Sequence, residues 1–176
     1  MIALTGIPVI ETARLRLRGP RAADYEVFAA FMASDRSRHI GGPVAREQAW
    51  RGFGHLTGHW VLRGYSMFIL ADLATDKALG MAGPWFPEGW PERELGWSIW
   101  AAEAEGQGLA HEAAFAARAY AYGTLGWTTA ISLIAEGNTR SEALALRLGC
   151  THAGDFEHAM FGKSRIFRHP GPEALQ

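Results

Sequence analysis

Strict alternation of apolar and polar positions marks the first regular element. Arg14-Leu15-Arg16-Leu17-Arg18 reads as a half-buried strand. After Pro20 the period changes, and residues 21–33 carry Ala23, Val27, Ala30 and Phe31 at helical spacing. Gly41-Gly42-Pro43 breaks the chain. Residues 44–62 then read as a second helix anchored by Trp50, Phe53 and Trp60, with Gly52, Gly54 and Gly58 weakening it. Residues 65–73 form an apolar strand. Thr75-Asp76-Lys77 supplies turn chemistry, and residues 78–82 return as a hairpin partner. Residues 84–91 exclude regular structure, because Pro84, Pro87, Gly89 and Pro91 interrupt them. Residues 94–100 are a strand with large aromatics, and 109–125 an alanine-rich helix. Residues 129–135 make a short buried strand, and 139–148 a short helix ended by Gly149. Two weaker strands lie between 152 and 168. The order β-αα-βββ-α-β-α-ββ is a mixed α/β arrangement.

The length of 176 residues suits a single domain spanning 1–176, with its core at about 9–170. The hydrophobic share of 48% is enough for a full core without metals or disulfides. Seventeen basic residues against eighteen acidic ones leave a net charge of −1. That balance argues against a dedicated nucleic-acid binder and against a polybasic membrane anchor. Lys77 and Lys163 are the only lysines, so nearly all the cations are arginine. A single cysteine, Cys150, excludes an internal disulfide framework. The N-terminal Met1-Ile2-Ala3-Leu4-Thr5-Gly6 lacks the charged and apolar regions of a signal peptide. The longest apolar stretches, near 67–70 and 113–117, fall well short of the roughly 20 residues that span a bilayer. The expectation is a cytoplasmic protein with neither nucleic acid nor membrane as partner.

Chemistry concentrates in two segments. Glu105-Gly106-Gln107-Gly108-Leu109-Ala110-His111-Glu112 joins a strand to a helix. Small residues there let the backbone turn sharply and present consecutive N–H groups. With the helix dipole they suit a phosphate or diphosphate, although a loop without a ligand has the same composition. A dinucleotide fingerprint would want a small residue where His111 stands, and an acid about 20 positions later. There is no GxxxxGK[ST] loop or G-x-S-x-G elbow, and His111-Glu112 is not followed by a second His at the zinc-helix spacing, since position 115 is Phe. The second segment is Ala135-Glu136-Gly137-Asn138-Thr139-Arg140-Ser141-Glu142. Thr139 and Glu142 have capping-box spacing. Asn138 precedes that cap at the end of a buried strand, where an amide suits a ligand's polar backbone. Leu144, Ala145 and Leu148 form the helix's core face.

Together, G-Q-G-L-A-H-E-A-A entering a helix and N-T-R-S-E-A-L-A-L-R-L-G after the next strand resemble the acetyl-CoA-binding half of the GNAT N-acetyltransferases. The opening E-T-A-R-L-R-L-R and the closing F-R-H-P are similar to the RimJ/RimL branch. The resemblance implies an α/β GNAT fold, with a mixed, mostly antiparallel central sheet of six to seven strands flanked by about four helices. It implies acetyl-CoA or coenzyme A as co-substrate and direct attack of an amine on the thioester. Gly108 and Ala110 match the family's diphosphate loop, so the backbone of Gly106, Gln107, Gly108, Leu109 and Ala110 would hold the phosphates. Glu105 departs from the family's Gln/Arg, and its carboxylate would face solvent or cap the helix. Pantetheine would lie beside strand 94–100, meeting the backbone of Ile99, Trp100 and Ala101, and would also meet Asn138. Alternation places Glu94, Gly96, Ser98 and Trp100 on one face of that strand. Glu94 would act as general base, or else be a strand-end carboxylate facing solvent. Ser141 would protonate the departing thiolate, or else be a second hydroxyl of the cap turn.

The aromatic, acidic loop after Gly83 offers Trp85 and Glu88 to a cationic amine, unless its tryptophans fill the core or a dimer contact. The acceptor would be a small-molecule or peptide amine, and a homodimer is left open. His55 and His59 stand four apart on a helix, but no third ligand is evident, so no metal is expected. Cys150 reads as a small packed hydrophobe, and His111 as a surface histidine. One of Tyr120 and Tyr122 should face the core. Against the N-acetyltransferase stand a non-catalytic coenzyme A-binding module, acting as sensor or interaction protein, and more distantly a nicotinamide-dependent oxidoreductase.

Overall fold

Leu15 and Leu17 are fully buried, as the alternation requires, and they start a sheet that runs through the whole chain. The computed structural model describes residues 4–159 and 162–175, so the Met1–Ala3 part of the N-terminal reading lies outside the described residues. The strands are β1 (Ile10–Glu11), β2 (Leu15–Arg18), β3 (Phe68–Asp72), β4 (Ala78–Trp85), β5 (Glu94–Ile99), β6 (Ile131–Ala135), β7 (Thr151–His158) and β8 (Gly162–Arg168). They form one sheet in the order β1-β2-β3-β4-β5-β6-β8-β7. Every neighbouring pair is antiparallel except β5 and β6. The sheet has eight strands, more than the expected six to seven, because Ile10 and Glu11 pair with Leu17 and Arg16. Four α-helices are present among the described residues: α1 (Tyr25–Met32), α2 (Arg46–Arg63), α3 (Leu109–Gly123) and α4 (Thr139–Arg147).

The helices cover the sheet from both sides. On one face Tyr25, Phe28, Phe31, Phe53 and Leu56 of α1 and α2 pack on Met67, Ile69 and Trp100. On the other, α3 lays Leu109, Ala113, Ala117 and Tyr120 on Leu15, Leu17, Phe68 and Leu70. Its alanines bring the helix axis close to the strands. Helix α4 adds Leu144, Ala145 and Leu148 against Ile134 and Phe167. Tyr120 is the buried tyrosine of α3, and the Tyr122 hydroxyl donates to the Pro170 carbonyl at 2.9 Å. Cys150 is buried as expected.

Three sequence expectations need correction. Pro84 and Trp85 are not irregular: they extend β4 and pair with Leu95 and Glu94. The β3 register ends at Ala82, so the missing N–H of Pro84 costs no bond to β3. Trp50 is 59% exposed and only flanks Tyr25 edge-on at 4.9 Å. The helical face of 21–33 is also displaced. A 3-10 turn at Ala22–Asp24 delays α1, whose core residues are Tyr25, Phe28, Ala29, Phe31 and Met32. Asp24 holds that entry, gripped by two Arg18 nitrogens at 2.8 and 2.9 Å.

Close approach of β4 to β5 makes Gly80 irreplaceable, since an added Cβ would lie 2.2 Å from the Ser98 carbonyl oxygen. Gly54, inside α2, would meet nothing within 4 Å. Urea denaturation should therefore separate them. Gly80→Ala should lose about 3 kcal/mol, from a clash with backbone that cannot move freely. Gly54→Ala should gain about 0.5–1 kcal/mol. Equal effects would contradict this packing.

Candidate active site

The site is built on a split in the sheet. Parallel strands β5 and β6 share one paired position, Glu94 opposite Ile131, and then diverge. Each remains paired on its outer side, β5 with β4 as far as Ile99 and β6 with β8 as far as Ala135. A cleft thus opens toward the C-terminal ends of both strands. Backbone groups just beyond the split need partners, and side chains provide them. The Leu133 N–H donates to Glu94 Oε1 at 3.2 Å. The Ser132 hydroxyl donates to the Leu95 carbonyl at 2.6 Å.

Glu94 does not face solvent. It is buried, and its second carboxylate oxygen accepts a short hydrogen bond from the Trp90 indole N–H. Burial pushes its carboxyl up from 4.5 to about 7, against the pull of the bonds from Trp90 and Leu133. It lies on the α1–α2 face, since a Cβ on Gly96 would point at both Glu94 Oε1 and Met67. Trp97 lies on the opposite face, against the α3–α4 cluster. Its indole N–H donates to the Ser141 hydroxyl at 3.4 Å. Glu94 and Ser141 therefore flank the cleft from opposite faces of β5.

Behind Ser132 stands a buried polar chain. Because Ser132 donates to Leu95, it accepts from His169 Nε2 at 2.9 Å. Arg118 donates to His169 Nδ1 at 3.4 Å and to the Leu148 carbonyl at 2.6 Å. Burial, with Arg118 adding to it, pushes the His169 pKa down to about 3, so the ring is neutral. Burial also raises the Cys150 thiol to about 11, which leaves it unreactive as a nucleophile at neutral pH.

The glycine loop has the backbone its composition implied. Gly106 and Gly108 have φ of 74° and 79°, a region that favours glycine. Gly108 is the N-cap of α3, so the N–H groups of Leu109, Ala110 and His111 have no partner further back in that helix. Glu112 fixes this turn, accepting from Thr12 Oγ1 at 2.6 Å and from Arg14 N and Nε at 2.9 and 2.7 Å. Asn138, rather than Thr139, caps α4, with its side-chain oxygen accepting from Ser141 N at 3.4 Å. Glu142 turns to Arg165 instead of completing a capping box.

The backbone at the end of β5 is already engaged. The N–H groups of Trp100 and Ala101 both donate to the Leu79 carbonyl, at 2.7 and 3.1 Å. The carbonyls of Ile99 and Trp100 accept from Arg36 at 3.0 and 2.7 Å. Glu105 neither faces solvent nor caps the helix. It pairs with Arg36, and its other oxygen lies 2.7 Å from Arg140. Burial works to raise its pKa, but the two arginines outweigh it and hold the carboxyl below its usual range.

The loop residues proposed for the acceptor separate. Trp85 stacks on His59 at 4.5 Å. His59 lies with Nδ1 2.6 Å from the Tyr65 carbonyl, while its Nε2 accepts from Phe86 N at 3.2 Å. Glu88 is fully exposed, 3.6 Å from Arg63. Trp90, not Trp85, reaches Glu94, and Arg36 and Arg140 were missed entirely. Trp90 stood in an aromatic run beside a strand-end acid, which was a usable signal. Nothing local to Arg36 pointed to Glu105. Among the described residues no cluster of His, Cys, Asp or Glu could hold a metal, and no helix is long and apolar enough to cross a membrane.

The split parallel pair thus lies beside a glycine-capped helix within a mixed α/β sheet. Residues 14–151 match the family model described as acetyltransferase (GNAT) domain. The chain belongs to the GNAT acetyltransferase family. It is similar to an acetyltransferase from Agrobacterium tumefaciens, with 32% identity and a TM-score of 0.86 over 97% of this chain and 98% of that one. It is also similar to a Bordetella pertussis protein assigned to the GNAT-family acetyltransferases, with 26% identity and a TM-score of 0.77 over 93% and 99%. RimL, a ribosomal L7/L12 α-N-protein acetyltransferase solved with coenzyme A, shares the fold at 14% identity and a TM-score of 0.73, over 92% and 97%. No curated protein matches the sequence.

The raised pKa of Glu94 has a consequence for stability. Between pH 4.5 and about 7 the folded protein keeps a proton that the unfolded chain has lost. Stability therefore falls as pH rises through that window, and the full cost of about 3 kcal/mol is present above pH 7. In denaturant titrations, wild type should lose up to that amount relative to Glu94→Gln between pH 4 and pH 8. His169 and the other titrating groups are common to both proteins and cancel. A difference independent of pH would show that Glu94 ionises normally.

Proposed function

We propose that the protein is an acetyl-CoA-dependent N-acetyltransferase that passes the acetyl group directly to a primary amine. The observation that carries this reading is Glu94, a buried carboxylate poised near neutrality where β5 and β6 part. A base with a pKa near the working pH combines a useful ionised fraction with useful proton affinity. Glu94 would take a proton from the amine on the α1–α2 face. Ser141, on the opposite face, would return a proton to the departing thiolate. The donor, when bound, supplies the activated acetyl group.

The residues fit such a donor. Backbone N–H groups at Gly106, Gln107, Gly108, Leu109 and Ala110, with the α3 dipole, suit a diphosphate, and Asn138 keeps its amide N–H groups for a pantetheine arm. Trp85 and Trp90 would offer aromatic surface to the acceptor. Glu88, at the exposed rim, would contribute charge at longer range. The acceptor class is an amine, small or peptidic. A non-catalytic coenzyme A-binding module would use the same loop but would gain nothing from a tuned carboxylate.

Thiol release from acetyl-CoA with a panel of amines tests the reading. Wild-type kcat/KM should rise with pH through about 7, as Glu94 ionises. Glu94→Gln should lose that limb and about 100-fold or more in kcat. Ser141→Ala should lower kcat while leaving the donor KM nearly unchanged. Donor binding with no amine-dependent thiol release would favour the non-catalytic module. Equal rates for wild type and Glu94→Gln would remove Glu94 as base.

A further inference from the structure

The charges around the cleft are arranged across it. Glu105 follows β5, whereas Arg140 stands on the first turn of α4, after β6. The Arg140–Glu105 pair, at 2.7 Å, therefore joins the two strands' sides of the opening. Arg36 comes from a third direction, the 3-10 segment Asp35–Ile40, which also contacts β6. Its guanidinium is spent on the carbonyls of Ile99 and Trp100 and on Glu105. Two cations thus converge on one carboxylate, immediately before the glycine turn that caps α3.

We infer that Glu105 is an internal anion that stands in for the donor's diphosphate and must be displaced from Arg36 and Arg140 when the donor binds. The inference rests on the acetyl-CoA reading above and deepens it, because it names the residue that sets donor affinity. The carboxylate and a diphosphate are both drawn to these two cations, which meet at the residue just before the glycine turn that leads into α3. They cannot both be satisfied there, since two anions sharing one pair of arginines repel each other. Glu105 holds both arginines in place before the ligand arrives, and it also competes with the ligand for them. It acts as a positioning and specificity residue for diphosphate-bearing donors.

The prediction runs against the usual outcome of breaking an ion pair. Glu105→Gln keeps the side chain's shape but removes its charge, which releases Arg140, and the part of Arg36 not held by the Ile99 and Trp100 carbonyls, for phosphate. Isothermal titration should show coenzyme A binding about tenfold tighter to Glu105→Gln than to wild type. Pantetheine, which lacks the diphosphate, should bind both equally. Glu103→Gln makes the same change in net charge nearby and should leave coenzyme A affinity within about twofold, as expected for an exposed carboxylate without these partners. A melting curve for each variant checks that the fold is kept. Unchanged or weaker coenzyme A binding by Glu105→Gln would overturn the inference while leaving the acetyl-CoA reading intact. Equal tightening by Glu103→Gln, or equal tightening toward pantetheine, would also overturn it. Failure of wild type and variants alike to bind coenzyme A would overturn both.

Discussion

Everything in the site depends on one departure from regular pairing: β5 and β6 meet at Glu94 and Ile131 and then part. A central parallel pair that stops early leaves peptide groups exposed inside the sheet, at a cost the fold must offset. Two side chains do so. Glu94 takes the Leu133 N–H, and Ser132 gives its hydroxyl to the Leu95 carbonyl. Glu94 is therefore part of what makes the split tenable, and the split is what buries Glu94. The same burial raises its pKa, so the structural role of this carboxylate and the chemical role proposed for it have one physical origin. His169, neutral and backed by Arg118, fixes the Ser132 hydroxyl on the other strand.

Near-neutral composition conceals how deliberately the charges are placed. Arginine recurs where a loop must be held by two N–H groups at once. Arg18 grips Asp24 at the entrance to α1. Arg168 grips Glu92 at 2.9 and 2.7 Å, just ahead of β5. Arg14 holds Glu112 at the start of α3. Arg18 and Asp24 are buried, whereas the other two pairs are partly exposed and add little to stability individually. Their geometry matters more, because the planar guanidinium fixes direction as well as distance. Two of these segments, the approach to β5 and the start of α3, lie next to the cleft, and a two-pronged grip accounts for arginine rather than lysine at these points.

The order of elements could be read from periodicity, because alternation at 14–18 and helical spacing at 139–148 are local properties. Pro84 could not be placed that way. Whether a proline fits a strand depends on what lies beside it, and β3 had already ended. Trp50 was misjudged for a related reason: a large aromatic at helical spacing looks like core, yet α2 presents it outward. Alternation put Glu94 on the correct face, but its burial depends on the split and on Trp90. The partners of Glu105 were out of reach of any motif. Arg36 lies 69 residues away in the chain, on a segment whose path over β6 no local pattern encodes.

On the proposed mechanism, the two faces of β5 divide the work. Glu94 opens toward α1 and α2, and Ser141 meets Trp97 on the side of α3 and α4. A base and an acid on the same face would exchange protons with each other through a short hydrogen-bonded path. Here the strand itself stands between them, and separate indoles bond each one: Trp90, in the loop before the strand, to Glu94, and Trp97, on the strand, to Ser141. The reacting carbon then becomes the only shared point, reached by the amine from one side and left by sulfur toward the other. The parting of β5 and β6 after Glu94 and Ile131 makes room for that point, and an unbroken ladder would have closed it.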